Sequence, residues 1–199
     1  MNANDLASMN AIAEGIGPHD AVLYIGDQRA ASNDGLLQAH DITCVLNCAV
    51  NLDINYVDQT LDKSAGSDYR VFGFAPVRSA KVGMIDGPGN SPAHLISACY
   101  LIDAMLHQKL PEKQTYPIKR AGNILVHCRG GRSRSVAVSA LYLHMNHPSR
   151  WSTIDEALQY VRDKRRIHPN EYYKAPKKDL LVLVRQVLSL RNSGATILP

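Results

Sequence analysis

A short apolar segment runs directly into a segment rich in glycine and arginine at residues 123–135, which read Asn-Ile-Leu-Val-His-Cys-Arg-Gly-Gly-Arg-Ser-Arg-Ser. The apolar residues predict a short strand, and the residues from Arg134 through His144 predict a helix. A loop that leads from a strand into a helix directs backbone N–H groups inward and adds the positive end of the helix dipole. The segment therefore predicts an anion-binding loop in an α/β fold.

The side chains of this loop suit a phosphate group. Arg134 offers a planar fork of donors that matches two phosphate oxygens, and Gly130 and Gly131 can supply the unusual backbone dihedrals of an anion cradle. The same electrostatic field should lower the pKa of Cys128 and make its thiolate available as a nucleophile. The alternative, a core cysteine beside solvated arginines, explains the combination less well.

The motif His127-Cys128-x5-Arg134-Ser135 resembles the signature of the cysteine-dependent protein tyrosine phosphatase superfamily, and Gly-Arg-Ser-Arg-Ser resembles its dual-specificity branch. Residues 23–27 and 42–47 are similar to the first two strands of that branch, and the resemblance covers roughly residues 20 to 190. Rhodanese-like enzymes also place a cysteine on an anion-binding loop. Low-molecular-weight tyrosine phosphatases and arsenate reductases carry the motif near the N-terminus, whereas here it follows several strands and precedes three helices.

The predicted fold is α/β, with a central mixed sheet of about five strands flanked by helices and the phosphatase loop between a strand and a helix. Strands are predicted at residues 22–25, 42–48, 69–75 and 123–127. Helices are predicted at residues 33–39, from Pro92 after an N-cap at Ser91, at 134–144, at 154–165 after a Ser152/Asp155 capping box, and from about Pro176.

A single catalytic domain is predicted for residues 19–192, because the chain has no internal repeat and no linker-like change of composition. Residues 1–18 are predicted to form an N-terminal extension, either loosely held or a short helix. Residues 193–199 are predicted to form a C-terminal tail.

The resemblance implies a two-step phosphoric monoester hydrolysis that requires no metal or cofactor. Cys128 would form a cysteinyl-phosphate, His127 would orient the loop and tune the thiol, and Ser135 would stabilise the departing thiolate. The phosphate would be bound by the loop residues Arg129, Gly130, Gly131, Arg132, Ser133 and Arg134.

The leaving oxygen needs a proton, so a carboxylic acid must approach from another loop. The upstream candidates are Asp53, Asp58, Asp62, Asp68, Asp86 and Asp103. Asp86 is the preferred acid because glycines and a proline flank it on a loop that leads into a helix, where the resembled family also places its acid. More residues separate Asp86 from Cys128 than is usual there, and we attribute the excess to the long connection at residues 108–122.

Four cysteines, Cys44, Cys48, Cys99 and Cys128, are too few and too irregularly spaced for a disulfide framework or a zinc site. Cys48 closes a strand that in some relatives carries a second cysteine beside the loop. We therefore predict Cys48 as a redox partner of Cys128. His144 and His147, at a helix end, are expected to be capping or surface residues rather than metal ligands.

The resemblance implies phosphotyrosine and phosphoserine or phosphothreonine in proteins as substrates. Arg129 and Arg132 complicate this expectation, because basic residues there resemble members that hydrolyse phosphoinositides or phosphatidylglycerophosphate, and inositol phosphates belong to the same alternative. A non-catalytic phosphate-binding module is a further alternative of a different class.

The chain has 199 residues and a formal net charge of +4, which argues against a nucleic-acid partner. The charge is uneven, since residues 162–178 hold seven lysines and arginines against two acidic residues. This excess of positive charge could steer a phosphorylated ligand.

The longest aliphatic run, residues 180–184, is too short for a transmembrane segment. No lysine or arginine precedes Arg29, which disfavours a signal peptide and makes the cytoplasm the expected location. The oligomeric state is left open.

Overall fold

The computed structural model describes residues 8–61, 70–116 and 120–194. Seven strands lie in these ranges: β1 (Met9–Ile16), β2 (Ala21–Gly26), β3 (Ile42–Ala49), β4 (Gln59–Thr60), β5 (Gly73–Phe74), β6 (Arg78–Met84) and β7 (Asn123–His127). The same ranges contain six α-helices and one 3-10 turn: α1 (Gln28–Ala31), α2 (Asp34–Ala39), α3 (Pro92–His107), α4 (Arg134–Asn146), α5 (Ile154–Lys164), the turn Pro169–Glu171, and α6 (Lys178–Asn192).

Five strands form the main sheet, in the order β1-β2-β7-β3-β6. Strand β1 is antiparallel to β2, whereas β2, β7, β3 and β6 run parallel to one another. The carboxyl ends of these four strands therefore meet at one edge, which is where ligands bind in open α/β sheets. The predicted mixed sheet of about five strands flanked by helices is confirmed.

Strand β3 is buried along its whole length because the sheet is covered on both faces. On one face, Cys44, Leu46 and Cys48 belong to the large core cluster that also contains the buried residues of α3, α4 and α6. On the other face, Val45 packs in a smaller cluster with Leu37 of α2. This explains why β3 reads as a nearly continuous apolar run in the sequence.

The N-terminal segment forms an edge strand, so the expectation of a loosely held segment or short helix is wrong for residues 9–16. Ile12, Ala13 and Ile16 are buried, and the pairing with β2 is interrupted by register shifts on both sides of Ala13. These irregularities place two consecutive residues in the core and break the period-two alternation by which a strand is recognised. The predicted domain boundaries stay predictions, and residues 195–199 lie outside the described residues.

Strand β6 was not predicted, because its sequence, Arg-Ser-Ala-Lys-Val-Gly-Met, combines charged and small residues and lies at the edge of the sheet. The strand predicted at residues 69–75 is reduced, in the described part, to Gly73–Phe74, which pairs with Gln59–Thr60. Tyr69 lies outside the described residues.

Helix α5 has its capping box one residue later than predicted, at Thr153 and Glu156 instead of Ser152 and Asp155. Both pairs have the required spacing, but Thr153 has the extended backbone of an N-cap, with φ −124° and ψ 154°. Ser152 donates to the Glu156 carboxylate at 2.7 Å instead. The predicted start of α3, with Ser91 as N-cap and Pro92 in the first turn, is confirmed.

Candidate active site

The loop between β7 and α4 contains a glycine, Gly131, that a larger residue could replace only if the neighbouring backbone moved. Gly131 has φ +60°, and a Cβ atom built there would lie 2.5 Å from the backbone oxygen of Gly26. Its carbonyl accepts a hydrogen bond of 2.9 Å from Nε of the buried Arg165, which supports the loop from behind. Gly130 does not have a positive φ, so the expectation that both glycines supply unusual dihedrals holds for Gly131 alone.

The thiol of Cys128 is buried at the start of this loop, and its Sγ atom lies 3.4 Å from Oγ of Ser135. Burial by itself raises the pKa of Cys128. The hydrogen bonds from the side chain and backbone of Ser135, the charge of Arg134 and the backbone N–H of Arg132 outweigh burial and lower that pKa below its ordinary value. These contacts favour the thiolate form of Cys128.

Arg134 is 4% exposed and occupies the first turn of α4. Its Nη1 atom donates to the carbonyl oxygen of Met84 at 3.0 Å and to Oδ1 of Asn51 at 3.4 Å. Its Nε atom is buried and has no hydrogen-bond partner among the described residues. The guanidinium is thus held in place through Nη1, while Nε can still donate to an anion bound in the loop. Nothing in the sequence indicated Asn51.

His127 is fully buried at the end of β7, between Gly26 of β2 and Asn47 of β3. Burial lowers the pKa of His127 to about 4, so the imidazole is neutral near pH 7. A neutral ring adds no positive charge beside Cys128. The arrangement fits the predicted role in orienting the loop, and gives no support to tuning of the thiol by an imidazolium.

The two basic loop residues that were expected to bind extra phosphate groups differ in their surroundings. The guanidinium of Arg132 forms a half-buried ion pair with the carboxylate of Glu171, which also contacts Nζ of Lys174 at 3.2 Å. Arg129 is exposed, and the described residues provide it with no ion-pair partner. Of the two arginines, Arg129 therefore keeps its charge available to solvent, whereas the charge of Arg132 is compensated.

Strand β6 ends at Met84, and the carbonyl oxygen of Met84 accepts a hydrogen bond from Arg134. Asp86 lies two residues further along the chain. The loop that carries Asp86 is therefore next to the loop between β7 and α4. Nζ of Lys177 donates to the Asp86 carbonyl oxygen at 2.8 Å and lies 3.5 Å from Oδ2 of its carboxylate. The other carboxylate oxygen, Oδ1, is buried without a hydrogen-bond partner among the described residues.

The other carboxylates considered as the acid are placed less suitably. Asp53 forms an ion pair of 2.6 Å with Lys81, and Asp103 lies on α3 with His107 at 3.5 Å. Asp58 lines a cavity of about 610 Å³ beside Ile42, at the amino end of β3 and away from the phosphate loop. Asp62 and Asp68 lie outside the described residues.

Cys48 is buried on β3, directly after Asn47, which pairs with His127 across the sheet. Cys48 on β3 and Cys128, which directly follows β7, are therefore neighbours across two adjacent parallel strands. Burial, together with the charge of the nearby Cys128 thiolate, raises the pKa of Cys48 well above its ordinary value. Cys48 is thus a protonated thiol beside a more acidic one.

His144 and His147 lie at the end of α4, where His147 is the C-cap. His144 contacts the carbonyl oxygen of Trp151 through Nδ1 at 3.0 Å. Within the described ranges, no group of three or more His, Cys, Asp or Glu residues is arranged to hold a metal ion.

None of the helices in the described part of the chain combines the length and apolar character needed to cross a membrane.

Sequence comparison finds no matching family model. Dual specificity protein phosphatase 1 of Arabidopsis thaliana is 28% identical over 159 residues, which cover 79% of this chain and 65% of the relative. Dual specificity protein phosphatase 26 of Mus musculus is 31% identical over 166 residues, which cover 83% of this chain and 65% of the relative. The chain therefore spans 65% of the length of these curated relatives.

Solved structures with a similar fold include human DUSP28, with a TM-score of 0.61 and 21% identity over 94% of this chain and 96% of that chain. A mouse putative dual specificity phosphatase, solved with zinc tungstate, has a TM-score of 0.61 and 24% identity over 100% of this chain and 96% of that chain. The sheet and helices described above are thus those of the dual-specificity phosphatase fold.

Proposed function

This chain is a relative of the dual-specificity protein phosphatases, and from that relationship we propose that it hydrolyses phosphate monoesters through a cysteinyl-phosphate intermediate. The observation that carries the proposal is the position of Cys128 beside Ser135 and Arg134, all three buried where the loop after β7 enters α4. The pKa of Cys128 is lowered although its thiol is buried, and Nε of Arg134 has no hydrogen-bond partner among the described residues. This combination serves an anionic substrate that is attacked by sulfur.

In the first step, the Cys128 thiolate attacks phosphorus in line with the leaving oxygen. The S–P bond forms while the P–O bond breaks. The loop N–H groups and the guanidinium of Arg134 hold the equatorial oxygens, where charge is spread in the transition state. His127 supports the loop as a buried neutral ring.

The leaving oxygen takes its proton from the carboxyl group of Asp86. Its Oδ1 atom, which has no partner among the described residues, is available to carry that proton. In the second step the resulting carboxylate accepts a proton from water as the water attacks phosphorus. The same residue then serves as acid and base in turn.

The second step breaks the S–P bond and releases inorganic phosphate. The departing thiolate accepts a hydrogen bond from the Ser135 hydroxyl, whose Oγ atom lies 3.4 Å from Sγ. The proposed steps use no metal or cofactor. A thiolate nucleophile also requires a reducing compartment, so a cytoplasmic location is part of the proposal.

The substrate class that we propose is phosphotyrosine together with phosphoserine or phosphothreonine in proteins. Glu171 compensates the charge of Arg132, which leaves the loop with less positive charge than its sequence implies. A singly phosphorylated side chain needs less charge than a polyphosphorylated head group. The exposed Arg129 favours the second candidate, a phosphoinositide, inositol phosphate or phosphatidylglycerophosphate.

The test is hydrolysis of a chromogenic aryl phosphate in EDTA by the wild type and the Cys128→Ser variant. We expect the wild type to be active in EDTA and Cys128→Ser to be inactive. Cys99→Ser is the matched control, because Cys99 is equally buried but lies on α3. Equal rates for wild type and Cys128→Ser would exclude the cysteine mechanism, and phosphate binding without turnover by the wild type would indicate a binding module.

Relative kcat/KM values for phosphopeptides, phosphoinositides and inositol phosphates then decide the substrate class. We expect phosphopeptides to be the better substrates. Preferred hydrolysis of a phosphoinositide or an inositol phosphate would replace the proposed class by the second candidate.

A further inference from the structure

Lys177 contacts both loops of the candidate site. Its Nζ atom donates to the carbonyl oxygen of Asp86 at 2.8 Å, and its backbone N–H donates to Oγ of Ser133 at 3.1 Å. Ser133 lies in the phosphate-binding loop and Asp86 in the loop after β6. One residue at the start of α6 therefore connects the loop that binds phosphate with the loop that carries the acid.

The backbone of Lys177 is held in place by the start of α6 and by the buried residues before it. Lys177 is the N-cap of α6, and it follows Ala175, which is fully buried and whose carbonyl oxygen accepts a 2.9 Å hydrogen bond from Arg162. Its side chain is 46% exposed and extends from this base to Asp86. The position of the lysine is thus set by the core and not by the loop that carries Asp86.

The loop between β6 and α3, residues 85–91, carries Asp86 and is called the acid loop below. Its local conformation is held by Asn90. Its Oδ1 atom accepts from the backbone N–H of Ile85 at 2.8 Å, and its Nδ2 atom donates to the carbonyl oxygens of Ile85 and Gly87, each at 2.9 Å. These bonds shape the loop but do not fix its distance from Cys128. Within the described part of the chain, the hydrogen bond from Lys177 is the one that ties the Asp86 side of this loop to another element.

We propose that Lys177 is a positioning residue for the general acid, and this rests on the proposed function of Asp86. Its bond to the Asp86 carbonyl oxygen does not depend on the protonation of the carboxyl group, so it persists through both steps. The longer contact, 3.5 Å to Oδ2, turns one carboxylate oxygen towards the lysine and leaves Oδ1 to carry the proton. Without the lysine, the loop keeps its shape but loses its fixed distance from the leaving oxygen.

The test uses aryl phosphates whose leaving groups range from nitrophenol to unsubstituted phenol. A nitrophenolate leaves readily without a proton, whereas phenolate needs one, so loss of acid catalysis raises the dependence of kcat/KM, which reports the first step, on the leaving group. For Lys177→Met we expect kcat/KM to fall by about tenfold for phenyl phosphate and less than about twofold for nitrophenyl phosphate. Lys177→Arg, which can still donate to the carbonyl, should restore most of the loss.

Lys178→Met is the matched control, because Lys178 is the exposed neighbour of Lys177 and makes no contact with Asp86 among the described residues. It should keep the wild-type leaving-group dependence, and thermal melting should show that Lys177→Met is folded. An equal loss of kcat/KM for all leaving groups in Lys177→Met would overturn the positioning role.

Asp86→Asn separates this failure from a failure of the proposed function. A steep leaving-group dependence in Asp86→Asn but not in Lys177→Met would refute the lysine's role and keep Asp86 as the acid. If Asp86→Asn kept the wild-type dependence on the leaving group, neither Asp86 as the acid nor Lys177 as its positioning residue would stand. The role of Cys128 as the nucleophile would then be tested by Cys128→Ser alone.

Discussion

Oγ of Ser135, in the first turn of α4, lies 3.4 Å from Sγ of Cys128, which directly follows β7. Both residues are buried, and the hydrogen bonds of Ser135 are the largest of the contributions that lower the pKa of Cys128. A buried thiolate is costly unless such donors face it. The contact therefore bears on both formation and release of the thiolate.

We expect Ser135→Ala to slow the second step more than the first, because the departing thiolate loses a donor. A hydrogen bond to a charged group corresponds to about a tenfold effect on rate or more. Rapid-mixing experiments should then show a burst of released aryl alcohol before slower turnover. The pKa of Cys128 should also rise, which moves the acidic limb of the kcat/KM profile to higher pH.

Ser139→Ala is the control for this prediction, because Ser139 lies about one turn further along the same buried helix and has no hydrogen-bond partner among the described residues. It should retain wild-type kinetics. A slower turnover in Ser135→Ala without a burst and without a shift of the acidic limb would contradict the role of Ser135 in thiolate release.

Glu171→Gln is expected to change the substrate preference rather than the chemistry. The substitution removes the negative charge that compensates Arg132 and so raises the positive charge of the loop. The ratio of kcat/KM for an inositol polyphosphate to that for a phosphopeptide should rise by about threefold to tenfold at low salt. Asp155→Asn, which alters a carboxylate on α5 that pairs with Arg185 at 3.4 Å, should leave the ratio unchanged. An unchanged ratio in Glu171→Gln would mean that the pair does not control specificity.

The buried neutral His127 should make the stability of the protein depend on pH. Burial lowers its pKa to about 4 from the ordinary value of 6.5, so between these values the unfolded chain binds a proton that the folded chain does not. The free energy of unfolding should therefore decrease as the pH falls from about 6.5 towards 4, by about 3 kcal/mol for the full shift. Urea denaturation at several pH values measures this slope.

His127→Gln should flatten that dependence, because glutamine does not titrate. His19→Gln, which changes an exposed histidine, should keep the wild-type slope. The same slope in His127→Gln and in the wild type would assign the pH dependence to other groups.

We propose that mild peroxide joins Cys48 to Cys128. Peroxide oxidises the Cys128 thiolate to a sulfenic acid, the thiol of Cys48 then attacks that sulfur, and the disulfide forms as water leaves. Intact mass should show the loss of two hydrogens, and dithiothreitol should restore activity. Cys48→Ser should instead become irreversibly oxidised, whereas Cys99→Ser should behave as the wild type. A sulfinic acid without a disulfide in the wild type would argue against the pairing.

The sequence alone determined the strand, loop and first helical turn that hold Cys128 and Arg134, because these residues are close together in the chain. It also determined the start of α3, where Ser91 and Pro92 act locally. In the same way, a run of apolar residues was sufficient to identify β3. These features follow from interactions within one or two turns of chain.

The tertiary structure decided the features that depend on partners far away in the chain. The irregular β1 and the polar β6 are strands because neighbouring strands pair with them. Glu171 compensates Arg132 from 39 residues away, and Lys177 contacts Asp86 across 91 residues. Charges and hydrogen bonds act over distances in space and not along the sequence, so the net charge around the loop and the contact between Lys177 and Asp86 emerged only with the folded chain.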